Sequence, residues 1–318
     1  MKGKVIKMKE KISIIVPCYN ETEGIQKFYS EAIKTINKIT DKYDYEILFI
    51  NDGSSDNTFE KLKELKKMDD NIRIISFSRN FGKEAAMYAG LENFVGEYVV
   101  IIDADLQNDP VIMLEMIKGI EENYDIVTTC RKDRKGEAPI KNIFAKIFYQ
   151  IMGNVGAVKI RQGAQDYRMM TRQVAESILS LKEYNRFSKG IFNWVGFNVK
   201  YLEVENKPRI AGKSKWNLKK LFAYAIDGIT SFTTAPLKLS IISGFVISVL
   251  SIIMGLEIVL QTIINGKDVP GYASTITAVL FIGGIQLISI GILSEYISKM
   301  YLEVKQRPKY IIKEKIDK

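Results

Sequence analysis

Asp103 and Asp105 end the apolar run Tyr98-Val-Val-Ile-Ile-Asp-Ala-Asp-Leu-Gln107. In an extended chain, residues two apart point to the same side. Both carboxylates therefore leave the end of a strand together, where a ligand can approach. Hard oxygen donors of this kind, with Gln107 just beyond, suit Mg²⁺ or Mn²⁺ bridging to phosphate oxygens. The plainer reading is two acids in a solvated turn, and the apolar strand before them argues for the metal. Histidine is absent from all 318 residues, so imidazole bases, histidine triads and histidine-zinc sites are excluded. Acid–base chemistry has to come from carboxylates, lysine, tyrosine or the substrate. Two cysteines, Cys18 and Cys130, make neither a disulfide framework nor a metal cluster and fit a reducing compartment.

The elements that position these groups are legible as alternation. Strand-like runs at 12–16, 45–50, 72–77, 98–102 and 125–129 alternate with helical patterns near 23–42, 58–67, 83–94 and 111–123. Such alternation predicts a mostly parallel sheet covered by helices, with ligands outside the carboxyl ends of the strands. The chemical residues fall at those ends: 17–21, 51–56, 79–83, 103–107 and 131–134. The first loop, Pro17-Cys-Tyr-Asn-Glu21, is not a glycine-rich dinucleotide turn, and no phosphate loop of the Gly-x-x-x-x-Gly-Lys-Ser/Thr type occurs. Dehydrogenase and P-loop chemistry are thereby disfavoured. Asp56 reads as a helix cap and Glu21 as a ligand or a helix-start acid. Asp166 reads as a strand residue that can pair with Arg168.

Two long uncharged runs, 239–256 and 272–294, occupy the C-terminal third. With flanking residues each can cross roughly 30 Å of hydrocarbon. Cations crowd both flanks (Lys213, Lys215, Lys219, Lys220 and Lys238 before; Lys299, Lys305, Arg307 and Lys309 after), whereas the connecting loop holds Lys267 and Asp268. By the positive-inside rule both ends are cytoplasmic. The net charge of +9 thus belongs with a lipid surface rather than with nucleic acid. An amphipathic stripe at 139–153 reads as core-facing or membrane-resting, and one at 216–232 as interfacial. The short apolar stretch at 12–16 stops at Pro17 and is a strand, not a signal peptide. Glu257 reads as snorkelling and Gln286 as an interhelical donor.

Val16-Pro-Cys-Tyr-Asn-Glu21, Asn51-Asp-Gly-Ser-Ser-Asp56, Ser78-Arg-Asn-Phe-Gly-Lys83, Asp103-Ala-Asp-Leu-Gln107, Gln165-Asp-Tyr-Arg168 and Arg209-Ile-Ala-Gly-Lys-Ser-Lys215, followed by two spans, resemble the polyprenyl-phosphate glycosyltransferases of glycosyltransferase family 2, over essentially the whole chain. The resemblance implies an α/β, GT-A (Rossmann-like) nucleotide-sugar domain at 1–207, a juxtamembrane interfacial segment at 208–235, a transmembrane hairpin at 236–300 and a cytoplasmic tail at 301–318. It implies a nucleotide-sugar donor, UDP-glucose or UDP-N-acetylglucosamine, with GDP-mannose as the alternative. The implied acceptor is a polyprenyl phosphate such as undecaprenyl phosphate, and the implied location is a multi-pass protein of the cytoplasmic membrane. Tetramers occur in the family, so a homo-oligomer is expected. Pro17, Tyr19, Glu21, Ile50, Asp52 and Lys83 would hold the nucleotide sugar. Asp103, Ala104 and Asp105 would meet ribose, metal and diphosphate, with Gln107 as a further metal ligand. Arg131, Arg134, Arg209, Lys213 and Lys215 would contact the lipid phosphate or diphosphate, and Asp166 would act at the acceptor. Many relatives carry two acids where Asn51 and Asp52 stand, a departure that bears on base recognition. The Gln-x-x-Arg-Trp motif of processive synthases is absent, so transfer of one sugar is expected. A nucleotide-sugar-binding scaffold without turnover and a nucleotidyltransferase are the competing classes.

Overall fold

A computed structural model describes residues 9–132, 161–205, 226–266 and 271–317. In chain order the elements are β1 (Glu10–Cys18), α1 (Ile25–Ile36), β2 (Tyr43–Asn51), α2 (Thr58–Met68), β3 (Ile72–Phe77), α3 (Lys83–Asn93) and β4 (Tyr98–Ile101). A short 3₁₀ turn, Pro110–Ile112, leads into α4 (Met113–Glu121), then β5 (Ile126–Arg131) and β6 (Ala164–Thr171). There follow α5 (Arg172–Ser180), α6 (Ser188–Trp194), β7 (Val199–Val204), α7 (Ala235–Asn265), α8 (Tyr272–Lys305) and β8 (Ile312–Ile316).

The strands form one sheet in the order β7-β5-β6-β4-β1-β2-β3-β8. The first four strands are mutually parallel, as the alternation predicts, and β7 is parallel to β5. Two strands run the other way: β6 between β4 and β5, and β8 at the edge beside β3. Successive strand residues point to opposite faces, and both faces are covered. Ile14, Val16, Ile47 and Phe49 pack with Phe28 of α1, Leu62 of α2 and Met116 of α4. Ile15, Leu48 and Ile50 pack on the other face with Ala86 and Ala89 of α3 and Val174 of α5. Continuous apolar strands are what a doubly covered sheet needs, and the run Ile12 to Val16 meets that need.

Within 301–318, α8 continues to Lys305, and the chain then returns to the sheet as β8. Tyr310 stacks on Phe77 with ring centroids 4.8 Å apart, and its hydroxyl donates to Glu92 at 2.7 Å. Arg73 donates to Asp317 at 2.8 Å and to the buried Glu46 at 2.9 Å. The apolar helices α7 and α8 thus sit between β7 and β8 in the chain while both strands belong to one sheet. Their apolar stretches, Ala235–Ile264 and Ser274–Lys305, have mean hydropathies of 2.4 and 2.3 and are long enough to cross a membrane. Tyr296 of α8 donates to the Thr233 carbonyl at 2.7 Å, and Glu303 accepts from the Tyr184 N–H at 2.6 Å, tying the helix end to the sheet domain.

Candidate active site

The strand β4 ends at Ile101, so Asp103 and Asp105 stand beyond it in a turn rather than on it. They still share one side. Asp103, Asp105, Gln107 and Asp109 are part-exposed, while Ala104, Leu106, Asn108 and Pro110 alternate with them and are buried. Leu106 adopts a left-handed backbone (φ 56°), and the Gln107 N–H donates to Asp105 at 3.1 Å. The turn is thus held by its own carboxylate and by the apolar residues it sends inward.

Antiparallel β6 supplies the second carboxylate. Its register pairs Ile101 with Arg168, so two residues further on Asp166 comes opposite Asp103. The third group comes from α3, which starts beyond the carboxyl end of β3. Lys83, its first residue, lies 2.7 Å and 2.8 Å from the two carboxylate oxygens of Asp103 and 2.6 Å from Asp166. Solvent reaches 41% of the Lys83 side chain, 29% of Asp103 and 21% of Asp166, so the cluster is open to a ligand from solvent.

Electrostatics follow from this geometry. Burial pushes the Asp166 carboxyl up, but Lys83 beside it, with Lys189 and Arg168 nearby, outweighs burial and holds it well below the usual carboxylate range. Burial raises Asp103; Lys83 opposes this, and the charges of Asp166 and Asp105 add to it. Burial would lower Lys83, yet Asp103 and Asp166 together keep it firmly protonated. The Arg168 side chain donates to the Gln165 carbonyl at 2.6 Å and the Asp166 carbonyl at 3.2 Å and stacks on Phe192. Lys83, rather than Arg168, is the cation in contact with the Asp166 carboxylate.

The loops after β1 and β2 brace one another and carry the third loop. Asp52 is 3% exposed. Its carboxylate accepts from the N–H groups of Phe81 (2.6 Å) and Gly82 (3.0 Å) and from the Asn80 side chain (2.9 Å). Those bonds hold the segment that launches Lys83. Gly53 (φ +61°) passes so close to this segment that a Cβ would lie 2.2 Å from the carbonyl carbon of Arg79. Asn51 is buried and donates to Ser76 at 2.9 Å, so the position where many relatives carry an acid faces the neighbouring strand. Asp56 accepts from the Thr58 N–H at 3.0 Å just ahead of α2, whose N-cap position is taken by Asn57. The backbone carbonyl of Glu21 accepts from Gly24 and Ile25 at the start of α1. The Cys18 thiol is pushed up by burial first and then by the charges of Glu21 and Asp103, which puts those two acids around one point.

Ile50 is 0% exposed, and its side chain packs in the core with α3 beneath the site. Ala104, 2% exposed, likewise turns its methyl group into the core. Pro17 and Tyr19 line the first loop and are part-exposed. Arg131 ends β5, its N–H bonded to Gly163 at 3.0 Å. Arg134, Arg209, Lys213 and Lys215, the stripe at 139–153 and most of that at 216–232 lie outside the described residues. Sequence reasoning overlooked Glu84. It accepts from the Ser188 N–H and hydroxyl, and burial, with Asp166 adding, raises its carboxyl to about 7. Its place after Lys83 looked like an ordinary acid in the first turn of a helix.

No group of three or more Cys, Asp or Glu side chains able to cage a metal occurs among the described residues. Asp103, Asp105 and Gln107 are instead a partial oxygen set, which fits Mg²⁺ or Mn²⁺, ions that take one or two carboxylates and complete their shell with phosphate and water. The two carboxylates against Lys83, Asp103 and Asp166, outnumber its single charge, which leaves negative charge for a cation to balance.

The family model described as glycosyl transferase family 2 matches residues 13–179, the segment that carries β1 to β6 and every site residue just placed. The chain belongs to glycosyltransferase family 2. A second model, described as the GtrB C-terminal hairpin, matches residues 235–300 of this glycosyltransferase, that is α7 and most of α8. Putative glycosyltransferase CsbB of Bacillus subtilis (strain 168) is 45% identical over 303 residues, covering 95% of this chain and 91% of that one. The bactoprenol glucosyl transferase of Shigella phage SfII is 41% identical over 305 residues, covering 95% and 97%. The mixed sheet with helices on both faces is the GT-A-like fold that the motifs implied.

Proposed function

We propose that this glycosyltransferase moves one sugar from a nucleotide sugar, UDP-glucose or UDP-N-acetylglucosamine, to a polyprenyl phosphate at the cytoplasmic face of the membrane, inverting the anomeric centre. The observation that carries the reading is the meeting of Asp103, Asp166 and Lys83 at the carboxyl end of a sheet whose last strand follows two apolar helices. Likeness to a bactoprenol glucosyl transferase supports the acceptor class. Bactoprenol is a polyprenol, and its phosphate would lie at headgroup height beside helices of this kind. The cations flanking both apolar runs support cytoplasmic ends.

Asp105, with Asp103 and Gln107, would hold Mg²⁺ or Mn²⁺, which when bound supplies positive charge to a diphosphate leaving group. Asp52 acts at a distance by fixing residues 80–82, and so the start of α3. An acceptor phosphate monoester has a second pKa near ~6, so at neutral pH its oxygen is mostly ionised and needs no strong base. That suits a chain without histidine. Asp166, held strongly acidic by Lys83, is a poor proton acceptor as it stands, and its part is to orient the acceptor against the sugar carbon. Arg131, Arg134, Arg209, Lys213 and Lys215 would contribute phosphate contacts.

The test incubates the purified full chain with a panel of nucleotide sugars and undecaprenyl phosphate, with and without excess EDTA. Free nucleoside diphosphate plus glycosylated lipid, lost in EDTA and in Asp105→Ala, is the expected result. Pyrophosphate release would indicate a nucleotidyltransferase, and absence of product with every donor a scaffold. Full activity in EDTA would remove the metal.

A further inference from the structure

The Lys83 ammonium spans both oxygens of Asp103, at 2.7 Å and 2.8 Å, and reaches Asp166 at 2.6 Å. That is the position a cation shared by these carboxylates would take. Mg²⁺ or Mn²⁺ would approach the same oxygens at about 2.0–2.1 Å, inside the shell that the ammonium already fills. An ammonium and a metal drawn to the same two oxygens repel one another, so each weakens the other's hold on Asp103.

We propose that Lys83 is a resident counter-ion which keeps the Asp103 side of the metal site closed until a nucleoside diphosphate enters the cleft. The inference rests on the metal-dependent transferase reading. The donor diphosphate brings the negative charge that both cations seek. It offers the ammonium a new partner and releases Asp103 to the metal. Lys83 is built for such an exchange. It is the first residue of α3, its side chain is 41% exposed, and its flexible stem can swing without moving the helix. The backbone before it stays fixed meanwhile, because Asp52 holds the N–H groups of Phe81 and Gly82. A simple structural ion pair would tie Lys83 to one acid. Here it spans two carboxylates on different strands' ends, in the cleft where the substrate reacts. The consequence is order: metal binds poorly to the free enzyme and well together with the nucleotide.

The test is Mn²⁺ binding followed by electron paramagnetic resonance on the full chain in detergent, with and without UDP. Lys83→Gln is expected to bind Mn²⁺ at least tenfold more tightly than wild type when UDP is absent. The enhancement of Mn²⁺ binding by UDP should shrink by a comparable factor, since the coupling is reciprocal. Lys83→Arg keeps the charge and should stay near wild type. Unchanged or weaker Mn²⁺ binding in Lys83→Gln overturns the proposal, as does tightening of equal size in Lys83→Arg, which would point to packing rather than charge. Asp105→Asn separates the two readings. If it abolishes Mn²⁺ binding while Lys83→Gln changes nothing, only the counter-ion role fails; if Mn²⁺ binding persists undiminished in Asp105→Asn, the metal reading falls and the counter-ion role with it.

Discussion

Gly53→Ala should damage transfer far more than its size suggests. Gly53 has φ +61°, and an added Cβ would sit 2.2 Å from the Arg79 carbonyl carbon, 2.6 Å from its oxygen and 2.6 Å from the Asn80 nitrogen. Ordinary contact begins near 3.4 Å, so the 79–82 segment must retreat by about 1 Å, and backbone cannot yield as a flexible side chain does. The left-handed conformation costs alanine about 1–2 kcal/mol, and the displaced packing about 1–3 kcal/mol more. The functional effect comes through Asp52, whose carboxylate loses its fit to Phe81 and Gly82 as the segment moves, and Lys83 moves with it. A misplacement of about 1 Å can lower turnover by ~10²-fold. The assay is sugar transfer to undecaprenyl phosphate alongside a thermal melt in detergent. Gly196→Ala is the control: it also has positive φ (+74°), but nothing nearer than 4.0 Å meets its Cβ. It should lose about 1 kcal/mol of stability and no activity. Wild-type transfer by Gly53→Ala, with an unchanged melt, would refute the close approach and the role assigned to Asp52.

Asp166→Asn keeps size and loses charge; transfer should fall by ~10²-fold or more while UDP affinity by calorimetry stays within a few-fold, and a collapse of UDP affinity would place Asp166 in the nucleotide pocket instead. Glu84, raised to about 7 from 4.5, holds a proton in the folded chain that the unfolded chain releases. Stability should therefore decline as pH climbs from 4.5 to 7, by about 3 kcal/mol at most, and level off above; Glu84→Gln should flatten that stretch of a melt-versus-pH series, and an unaltered slope would count against it. Ending the chain at Pro308 removes β8, parts Tyr310 from Phe77 and Asp317 from Arg73, and bares the edge of β3. The shortened protein should melt several degrees lower and aggregate on size-exclusion chromatography, and a monodisperse product with the wild-type melt would show the strand to be dispensable.

Local pattern is what the sequence carries best. The apolar run Ile12 to Val16, the alternation of strand and helix through residue 130, the placing of Asp103, Asp105 and Lys83 at strand ends, and the two apolar runs were all legible, because each depends on neighbours a few residues apart. Ile50 belongs to a matched motif, but a motif names a position and not a depth; the pleat turns that side chain to the α3 face. Asp166 and Arg168 were legible as strand residues, but the antiparallel place of β6 between β4 and β5 is set by other parts of the chain. Strand β8 is Ile-Lys-Glu-Lys-Ile, an edge strand whose polar residues give no local sign of its pairing with β3, far earlier in the chain. Arg73 and Asp317 stand 244 residues apart, and Lys83 and Asp166 stand 83 apart. The sequence by itself determined which groups could do chemistry and which segments could cross a membrane. Only the tertiary structure decided that one ammonium bridges two carboxylates and that the last strand returns to the first sheet, since such contacts are set by register and by the packing of elements far apart in the chain, which no local period encodes.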